Sequence, residues 1–323
     1  MSKGMSDDII TLLGTGIARG ESKRLELEVA RLHTRNKIQI PINIERAKVD
    51  GPVLLLVAGI HGDETNGVAI VREIISRNYH KPKAGTVITI PVFNVFGFLN
   101  QTRELPDGKD LNRMFPGAED GSLASQFAFH FRTKIAPLAD YVIDFHTGSA
   151  DRNNVTQVRS GFETPDMLDL AKAFGAPFII QSRTIPKSLR ETLVKMGKKV
   201  LLFEGGKTRS IDLDVIDTGV KGALNVMRHL GMQDGEPEID VEQTFINKTT
   251  WLRAPSSGLF FPENINGKWV EKRTILGRIK DPYGDYEKNV RAPHGCHVVC
   301  SNTASIVNRG DALFHISTQE KRN

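Results

Sequence analysis

The chain has 323 residues, of which 39% are hydrophobic and 25% are charged, and its formal net charge is +5. This composition is that of an ordinary globular protein with room for one large domain and a smaller one. Lys and Arg are interleaved with Asp and Glu, and no apolar stretch approaches the roughly 20 residues of a membrane-spanning helix. We therefore expect neither nucleic acid nor a membrane as a partner.

Only two cysteines, Cys296 and Cys300, are present, which excludes a disulfide framework. Residues 1–8 lack the apolar core of a signal peptide. Both observations favour a cytoplasmic protein. The mild positive charge would help to gather anionic small substrates, and enzymes of this size often form symmetric homo-oligomers.

The first predicted elements are strands, because Leu25, Leu27 and Val29 alternate with charged residues and residues 38–44 show the same period of two. Beyond them, continuous apolar runs typical of strands buried on both faces alternate with segments of helical spacing. This alternation predicts an α/β fold with a doubly wound, mixed but mostly parallel sheet. The apolar runs are residues 53–60, 87–93, 141–145, 177–180 and 200–203.

The C-terminal part has a different pattern. Residues 234–238 are charged and contain a proline, which predicts a linker. Beyond it the helical period disappears, and two similar units, each followed by a strand–turn–strand pattern, begin at Ala254 and Ala292. We predict a catalytic α/β domain with N-terminal strands over residues 1–240 and a smaller all-β module over residues 241–323.

Metal-ligating side chains follow two of the predicted buried strands. His61 and Glu64 come directly after the run at 53–60, and His146 closes the run at 141–145. These strand ends are expected to meet at one edge of the sheet, where open α/β sheets bind their ligands. Two imidazoles and a carboxylate, with a fourth position left to water, form the ligand set of a catalytic zinc. Taken alone, the first pair could also be a loop histidine and a glutamate that favours a helix N-terminus.

Two further acids lie near these strand ends. Glu204 follows the run at 200–203, where a carboxylate without compensation would be costly. Beside a metal it can accept the proton of a water whose pKa the ion has lowered, so we predict a general base; the alternative is a capped loop acid. Asp144 lies on the same side of its strand as His146, where it either orients that ligand or forms a satisfied buried carboxylate.

A loop rich in glycine and proline carries two cations. Arg113 follows Asn112 and precedes a constrained turn, and its guanidinium fits a substrate carboxylate. Arg103 is a second cation that could polarise a carbonyl in the transition state. Either could instead be an ordinary surface arginine.

Other polar clusters have simpler interpretations. Residues 205–208 lack the first glycine of a phosphate-binding loop. Tyr283 and Tyr286 are candidates for hydrogen bonds to substrate or are structural residues of the β module. Four residues have spacings unlike those of a standard zinc finger or ribbon and are interpreted as ordinary β residues: His294, Cys296, His297 and Cys300.

The motifs occur in the order found in a known family. Residues 61–64, the pair 112–113, residues 144–148 and residues 203–205 resemble the motif series of the succinylglutamate desuccinylase/aspartoacylase family. That family is similar in fold to the zinc carboxypeptidases. The resemblance covers roughly residues 50–245.

The resemblance implies one zinc ion per chain, held by His61, Glu64 and His146. It also implies that Glu204 is the general base and acid, and that Arg103 and the pair 112–113 act at the oxyanion and the substrate carboxylate. The C-terminal module resembles the paired biotinyl/lipoyl half-barrels of some family members, a barrel-sandwich arrangement. It has no lysine around residues 301–303, so an attached swinging cofactor is not expected.

The sequence thus predicts a zinc-dependent amidohydrolase that removes an acetyl- or succinyl-class acyl group from an N-acyl amino acid or a similar carboxylate through metal-activated water. A metallocarboxypeptidase or an ester hydrolase would use the same site. A non-catalytic ligand-binding relative is disfavoured by Glu204, since binding alone needs no base there. A structural zinc site would require a fourth protein ligand. The acyl group, the amine and the oligomeric state are left open.

Overall fold

The computed structural model describes residues 9–162 and 164–318. The segment 1–8, on which the expected cytoplasmic location partly depends, lies outside the described residues. Within those ranges, no helix combines the length and the apolarity that crossing a bilayer requires.

Strands and helices alternate through the first three quarters of the chain. The strands are β1 (Ile9–Leu12), β2 (Thr15–Ala18), β3 (Ser22–Arg31), β4 (Lys37–Arg46), β5 (Val49–Ala58), β6 (Ala84–Ile90), β7 (Tyr141–Gly148), β8 (Arg152–Ser160), β9 (Phe178–Gln181), β10 (Lys199–Lys207) and β11 (Thr244–Ile246). The α-helices are α1 (Thr65–Ser76), α2 (Val95–Asn100), α3 (Leu123–Lys134), α4 (Pro165–Phe174), α5 (Leu189–Lys195) and α6 (Leu213–His229).

The C-terminal part contains strands and no α-helix among the described residues. Its strands are β12 (Thr249–Arg253), β13 (Gly258–Pro262), β14 (Trp269–Val270), β15 (Ile275–Lys280), β16 (Glu287–Arg291), β17 (Cys296–Asn302), β18 (Ile306–Val307) and β19 (Ala312–Ser317). Strands β16, β15, β13 and β18 form a separate antiparallel sheet in that order.

One large mixed sheet organises the molecule, in the order β12-β19-β17-β8-β10-β7-β5-β6-β4-β3. The four central strands, β10, β7, β5 and β6, run parallel. The prediction of a mixed sheet is confirmed, but the sheet as a whole is not mostly parallel. Among the described residues, parallel pairing outside this centre occurs where β9 joins β8 and β11. Strands β3 and β4 are joined by a short turn, which requires antiparallel pairing. On the other side β8 is antiparallel to β10 and β17, and β19 is antiparallel to β17 and β12.

Helices cover both faces of the sheet, as the doubly wound prediction requires. Leu55 and Val57 of β5 face a buried cluster that includes Phe127 of α3 and Leu189 of α5. The intervening Leu54, Leu56 and Ala58 face the opposite cluster, to which α1, α4 and α6 contribute. Because both faces are covered there, residues 53–58 of the strand are all apolar. Each fully buried aliphatic side chain stabilises the fold by about 1.5–3 kcal/mol.

Strand β8 connects the central parallel strands to the C-terminal strands. One of its edges pairs with β10. Its other edge is divided: residues 152–154 pair with β17 and residues 157–160 pair with β9. The C-terminal strands therefore continue the sheet that carries the predicted metal ligands.

Candidate metal centre and catalytic cleft

The three predicted metal ligands come together. His61, Glu64 and His146 each offer a donor atom, and these atoms all lie within 4.8 Å of one another. Glu64 Oε1 lies 2.7 Å from His61 Nδ1, and Glu64 Oε2 lies 3.0 Å from His146 Nδ1. All three residues are buried. Within the described ranges this is the only group of three or more such residues that could hold a metal ion.

Two glycines allow the ligands to meet. A Cβ on Gly62 would lie 1.7 Å from the backbone of Gly97 in α2, so the loop between His61 and Glu64 packs directly on that helix. A Cβ on Gly67 would lie 2.6 Å from the carbonyl oxygen of Phe145, so α1 starts in contact with β7. Side chains at either glycine would push the first two ligands away from His146.

Two carboxylates orient the histidines. His61 Nε2 donates to Asp110 Oδ1 at 3.2 Å, and His146 Nε2 donates to Asp144 Oδ2 at 2.9 Å. With a proton on each Nε2, both Nδ1 lone pairs are directed toward the Glu64 carboxylate. This is the usual arrangement of an acid behind each histidine ligand, so the donor set fits a divalent metal. The orienting role suggested for Asp144 agrees with this contact, whereas no such role was predicted for Asp110.

The charges in this cluster stabilise one another. Burial alone would lower the histidine pKa values, but Glu64 with Asp110 raises the pKa of His61, and Asp144 with Glu64 raises that of His146 well above its usual range. Burial would raise the pKa of Glu64, but the two histidines lower it well below its ordinary value. The pocket thus favours cationic charge beside an ionised carboxylate, an environment in which a divalent cation can replace the protons.

Replacing Asp144 with Asn is expected to weaken metal binding by about 10–100-fold, because the amide keeps the shape but removes the charge that orients His146. Metal affinity would be measured by competition with a chromogenic chelator. Asp151→Asn, the same change at an exposed position nearby, is the matched control. Equal affinities of the two variants would contradict an orienting role for Asp144.

Arg103 reaches into the metal group from the loop that follows α2. Its Nη1 lies 3.2 Å from His61 Nδ1 and donates to Ser149 Oγ at 2.7 Å. Its Nε and Nη2 both donate to one oxygen of Asp110, at 3.1 and 2.8 Å. One aspartate therefore positions both a histidine and the arginine predicted to polarise the substrate carbonyl.

Asn112 and Arg113 occupy the neighbouring turn. The Asn112 side-chain oxygen accepts from the backbone N–H of Leu189, at the start of α5, at 2.8 Å. Arg113 Nη1 donates to the backbone oxygen of Asn112 at 2.7 Å. Arg113 lines a cavity of about 720 Å³ beside the metal group, together with Arg103 and Asp110. Asn112 is thus engaged in the fold, whereas Arg113 borders open space.

Glu204 lies beside the metal group on β10. Its backbone pairs with His146 of β7, so the two side chains occupy neighbouring positions on one face of the sheet. Asn154 Nδ2 donates to Glu204 Oε2 at 2.8 Å. Burial, with a smaller contribution from Glu64, raises the pKa of Glu204 against the opposing effects of Arg159 and His146. A carboxylate with a raised pKa is suited to accept and return a proton.

Three residues near this centre were not predicted from the sequence as site residues. Arg190 of α5 is buried, donates to Ser182 Oγ and to the backbone oxygen of Arg183, and interacts electrostatically with Asp144 and Glu204. Burial, followed by repulsion from Arg159, lowers its pKa to about 10. No spacing marks Arg190, Asp110 or Asn154 as site residues, because their contacts join distant segments.

The remaining candidates lie elsewhere. Tyr283 and Tyr286 are exposed in the turn between β15 and β16, and neither lines the cavity beside the metal group. The Cys296 and Cys300 thiols are free and buried in β17. His297 packs edge-on against Trp269 and Phe178, as expected for a β residue.

A model of the succinylglutamate desuccinylase/aspartoacylase catalytic domain matches residues 50–230. The chain belongs to this family. The family prediction made from the four motifs is therefore confirmed. Solved structures of succinylglutamate desuccinylase/aspartoacylase proteins share the fold over nearly the whole length of this chain.

One curated relative is the N-α-acetyl-L-2,4-diaminobutyric acid deacetylase of Halomonas elongata, 28% identical over 297 residues, covering 87% of this chain and 86% of the relative. The ectoine utilization protein EutE of Ruegeria pomeroyi, in its product-bound structure, has a TM-score of 0.84 at 24% identity and covers 98% and 100% of the two chains. A succinylglutamate desuccinylase from Silicibacter sp. has a TM-score of 0.82 at 25% identity over 96% and 98%. The two structures establish the shared mixed α/β fold.

Proposed function

We propose that this protein is a zinc-dependent deacylase that hydrolyses the amide of an N-acyl amino acid or a similar small carboxylate. The observation that carries the proposal is the His61–Glu64–His146 group with Glu204 on the adjacent strand. Family membership and the deacetylase relative support an acyl-removing hydrolase. Two imidazoles and one carboxylate favour zinc over the oxygen-preferring cations, and a three-residue set leaves a position for substrate or water.

When bound, zinc would supply a Lewis acid for the amide carbonyl and would make water more acidic. The chain supplies the remaining functions. Glu204 accepts the proton of the attacking water and returns it to the leaving nitrogen. Arg103, held by Asp110 and Ser149, donates to the carbonyl oxygen as negative charge develops there. Arg113 holds a substrate carboxylate, and Asn112 ties its turn to α5.

We propose residues 1–240 as the catalytic domain and residues 241–323 as a module of two half-barrels, of which the separate antiparallel sheet is one part. A cytoplasmic location is consistent with two free cysteines.

The proposal is tested by incubating the zinc-loaded chain with N-acetyl and N-succinyl amino acids, including N-acetyl-2,4-diaminobutyrate, and by detecting the released amine. N-blocked dipeptides and carboxylate esters are assayed in parallel. Release from at least one N-acyl amino acid, above that from peptides and esters, is the expected result. Faster hydrolysis of peptides would favour a carboxypeptidase, and binding without turnover of any substrate would favour the non-catalytic alternative.

Asn154 is expected to position the Glu204 carboxylate. Replacing Asn154 with Leu removes the 2.8 Å hydrogen bond and should lower kcat by about 10-fold with KM and metal content unchanged, because a single hydrogen bond to a charged group contributes about 1.5–3 kcal/mol. Steady-state kinetics check this, with Asn153→Leu as the matched neighbour. An increase in KM alone would place Asn154 in substrate binding instead.

A further inference from the structure

Ser149 joins the arginine of the cleft to the metal group. It is half-buried, directly follows β7 and lines the cavity of about 720 Å³ beside the metal group. Its hydroxyl accepts from Arg103 Nη1 at 2.7 Å and donates to Glu64 Oε1 at 3.3 Å. A single hydroxyl therefore bridges a guanidinium and the carboxylate that is proposed to bind the metal.

Arg103 Nη1 also lies close to two of the proposed ligand atoms, 3.2 Å from His61 Nδ1 and 3.4 Å from Glu64 Oε1. This nitrogen has two hydrogens, so these two atoms and the Ser149 hydroxyl oxygen compete for them. A divalent metal would bind through the same lone pairs of His61 and Glu64. Arg103 and the metal are therefore competitors unless another acceptor draws Nη1 away, and Ser149 Oγ is the nearest of the three acceptors.

The other side of the guanidinium is fixed separately. Asp110 Oδ2 accepts from Nε and Nη2 of Arg103, at 3.1 and 2.8 Å, which leaves the orientation of Nη1 to Ser149. With one Nη1 hydrogen bonded to Ser149, the second is available for the oxygen of a substrate carbonyl.

Contacts from two other segments fix the loop that carries Ser149. Ala150 has a φ of 53°, in the left-handed region that a side chain disfavours, and its backbone oxygen accepts from Thr208 Oγ1 at 2.6 Å. The backbone oxygen of Asp151 accepts from the N–H and the hydroxyl of Thr303, at 2.6 and 2.8 Å. Thr303 directly follows β17, so the C-terminal strands help to place Ser149.

We propose that Ser149 is a positioning residue that draws Arg103 away from the metal ligands and holds it for the substrate carbonyl, and that Thr303 supports Ser149 from the C-terminal strands. The action of Arg103 on the carbonyl rests on the proposed deacylase function. The competition with the metal rests on the contacts of Arg103 with His61 and Glu64.

The first measurement is the Zn²⁺ affinity of the full-length protein, by competition with a chromogenic chelator. Ser149→Ala is expected to raise the Kd for Zn²⁺ about 10-fold, because Nη1 then keeps only the two proposed ligand atoms as acceptors. In an Arg103→Met background the same change should alter Kd by less than threefold, since the competing guanidinium is removed. Ser305→Ala, which removes an exposed hydroxyl from the loop after β17, is the matched control.

The second measurement is steady-state kinetics at saturating Zn²⁺ with an N-acyl amino acid that the protein hydrolyses. Ser149→Ala should lower kcat about 10-fold and change KM by less than threefold. Ser149→Thr keeps the hydroxyl and should restore both kcat and the Kd for Zn²⁺. Thr303→Ala should act in the same direction as Ser149→Ala by about threefold, and it provides the test if Ser149→Ala does not fold.

An unchanged Kd for Zn²⁺ in Ser149→Ala, or an equal increase in the wild-type and Arg103→Met backgrounds, would overturn the inference. The second result would show that Ser149 acts on the fold or on Glu64 and not through Arg103. Absence of deacylation by every variant, with the Arg103-dependent change in Kd retained, would overturn only the proposed function.

Discussion

Replacing Glu204 with Gln is expected to lower kcat by about 10²–10⁴-fold while the protein retains its metal. The amide has nearly the same shape and can still contact Asn154, so the fold and the ligand group should be preserved. It cannot accept a proton from water or deliver one to the leaving nitrogen. KM should change little, because Glu204 is proposed to act on the water and not on the substrate carboxylate.

Kinetics and metal analysis on the same preparation provide the measurement. Glu104→Gln, the same chemical change elsewhere in the cleft, is the matched control and should retain activity within about threefold. Unimpaired turnover of the Glu204 variant would remove this residue from the mechanism. Loss of the metal together with activity would assign it to the binding site instead.

Removing the metal is expected to abolish deacylation. Treatment with a strong chelator should reduce deacylation to the background rate, a loss of at least about 10³-fold, and one equivalent of Zn²⁺ per chain should restore it. Since the ligands are assembled only in the folded state, metal at about 1,000 times its Kd should also raise the free energy of unfolding by about 4 kcal/mol.

A variant of one proposed metal ligand distinguishes the loss of the metal from nonspecific damage by the chelator. His146→Ala should fail to recover activity with one equivalent of Zn²⁺, whereas His130→Ala, a half-buried histidine of α3, should recover fully. Metal content would be measured by atomic emission spectroscopy beside thermal unfolding. Full activity in protein with less than about 0.1 metal ion per chain would contradict the zinc mechanism.

The grouping of the three proposed metal ligands was predictable because it depends on local sequence. His61 and His146 each follow an apolar run, and the ends of parallel strands coincide in space, so the residues at those ends meet. The central strands and the helical segments between them were predicted for the same reason. Burial on both faces leaves a continuous apolar run, and burial on one face leaves an apolar period of a helix.

What the sequence did not reveal depends on contacts between distant segments. Strand β8, with its polar sequence, has no apolar run or clear alternation, and pairing on both edges makes it a strand. Asp110 is 49 residues from His61, and Asn154 is 50 residues from Glu204. Neither spacing has meaning until the sheet order is known.

The divided edge of β8 has a consequence for shortening the chain. Ending the protein after residue 240 would remove β17 and expose the edge of residues 152–154 that pairs with it, next to the proposed catalytic cleft. A freshly exposed strand edge invites self-association. It would also remove Trp251 of β12, whose ring centre lies 5.2 Å from the guanidinium carbon of Arg152. The last quarter of this polypeptide therefore contributes to the central sheet. We expect a protein truncated after residue 240 to aggregate and to lack activity.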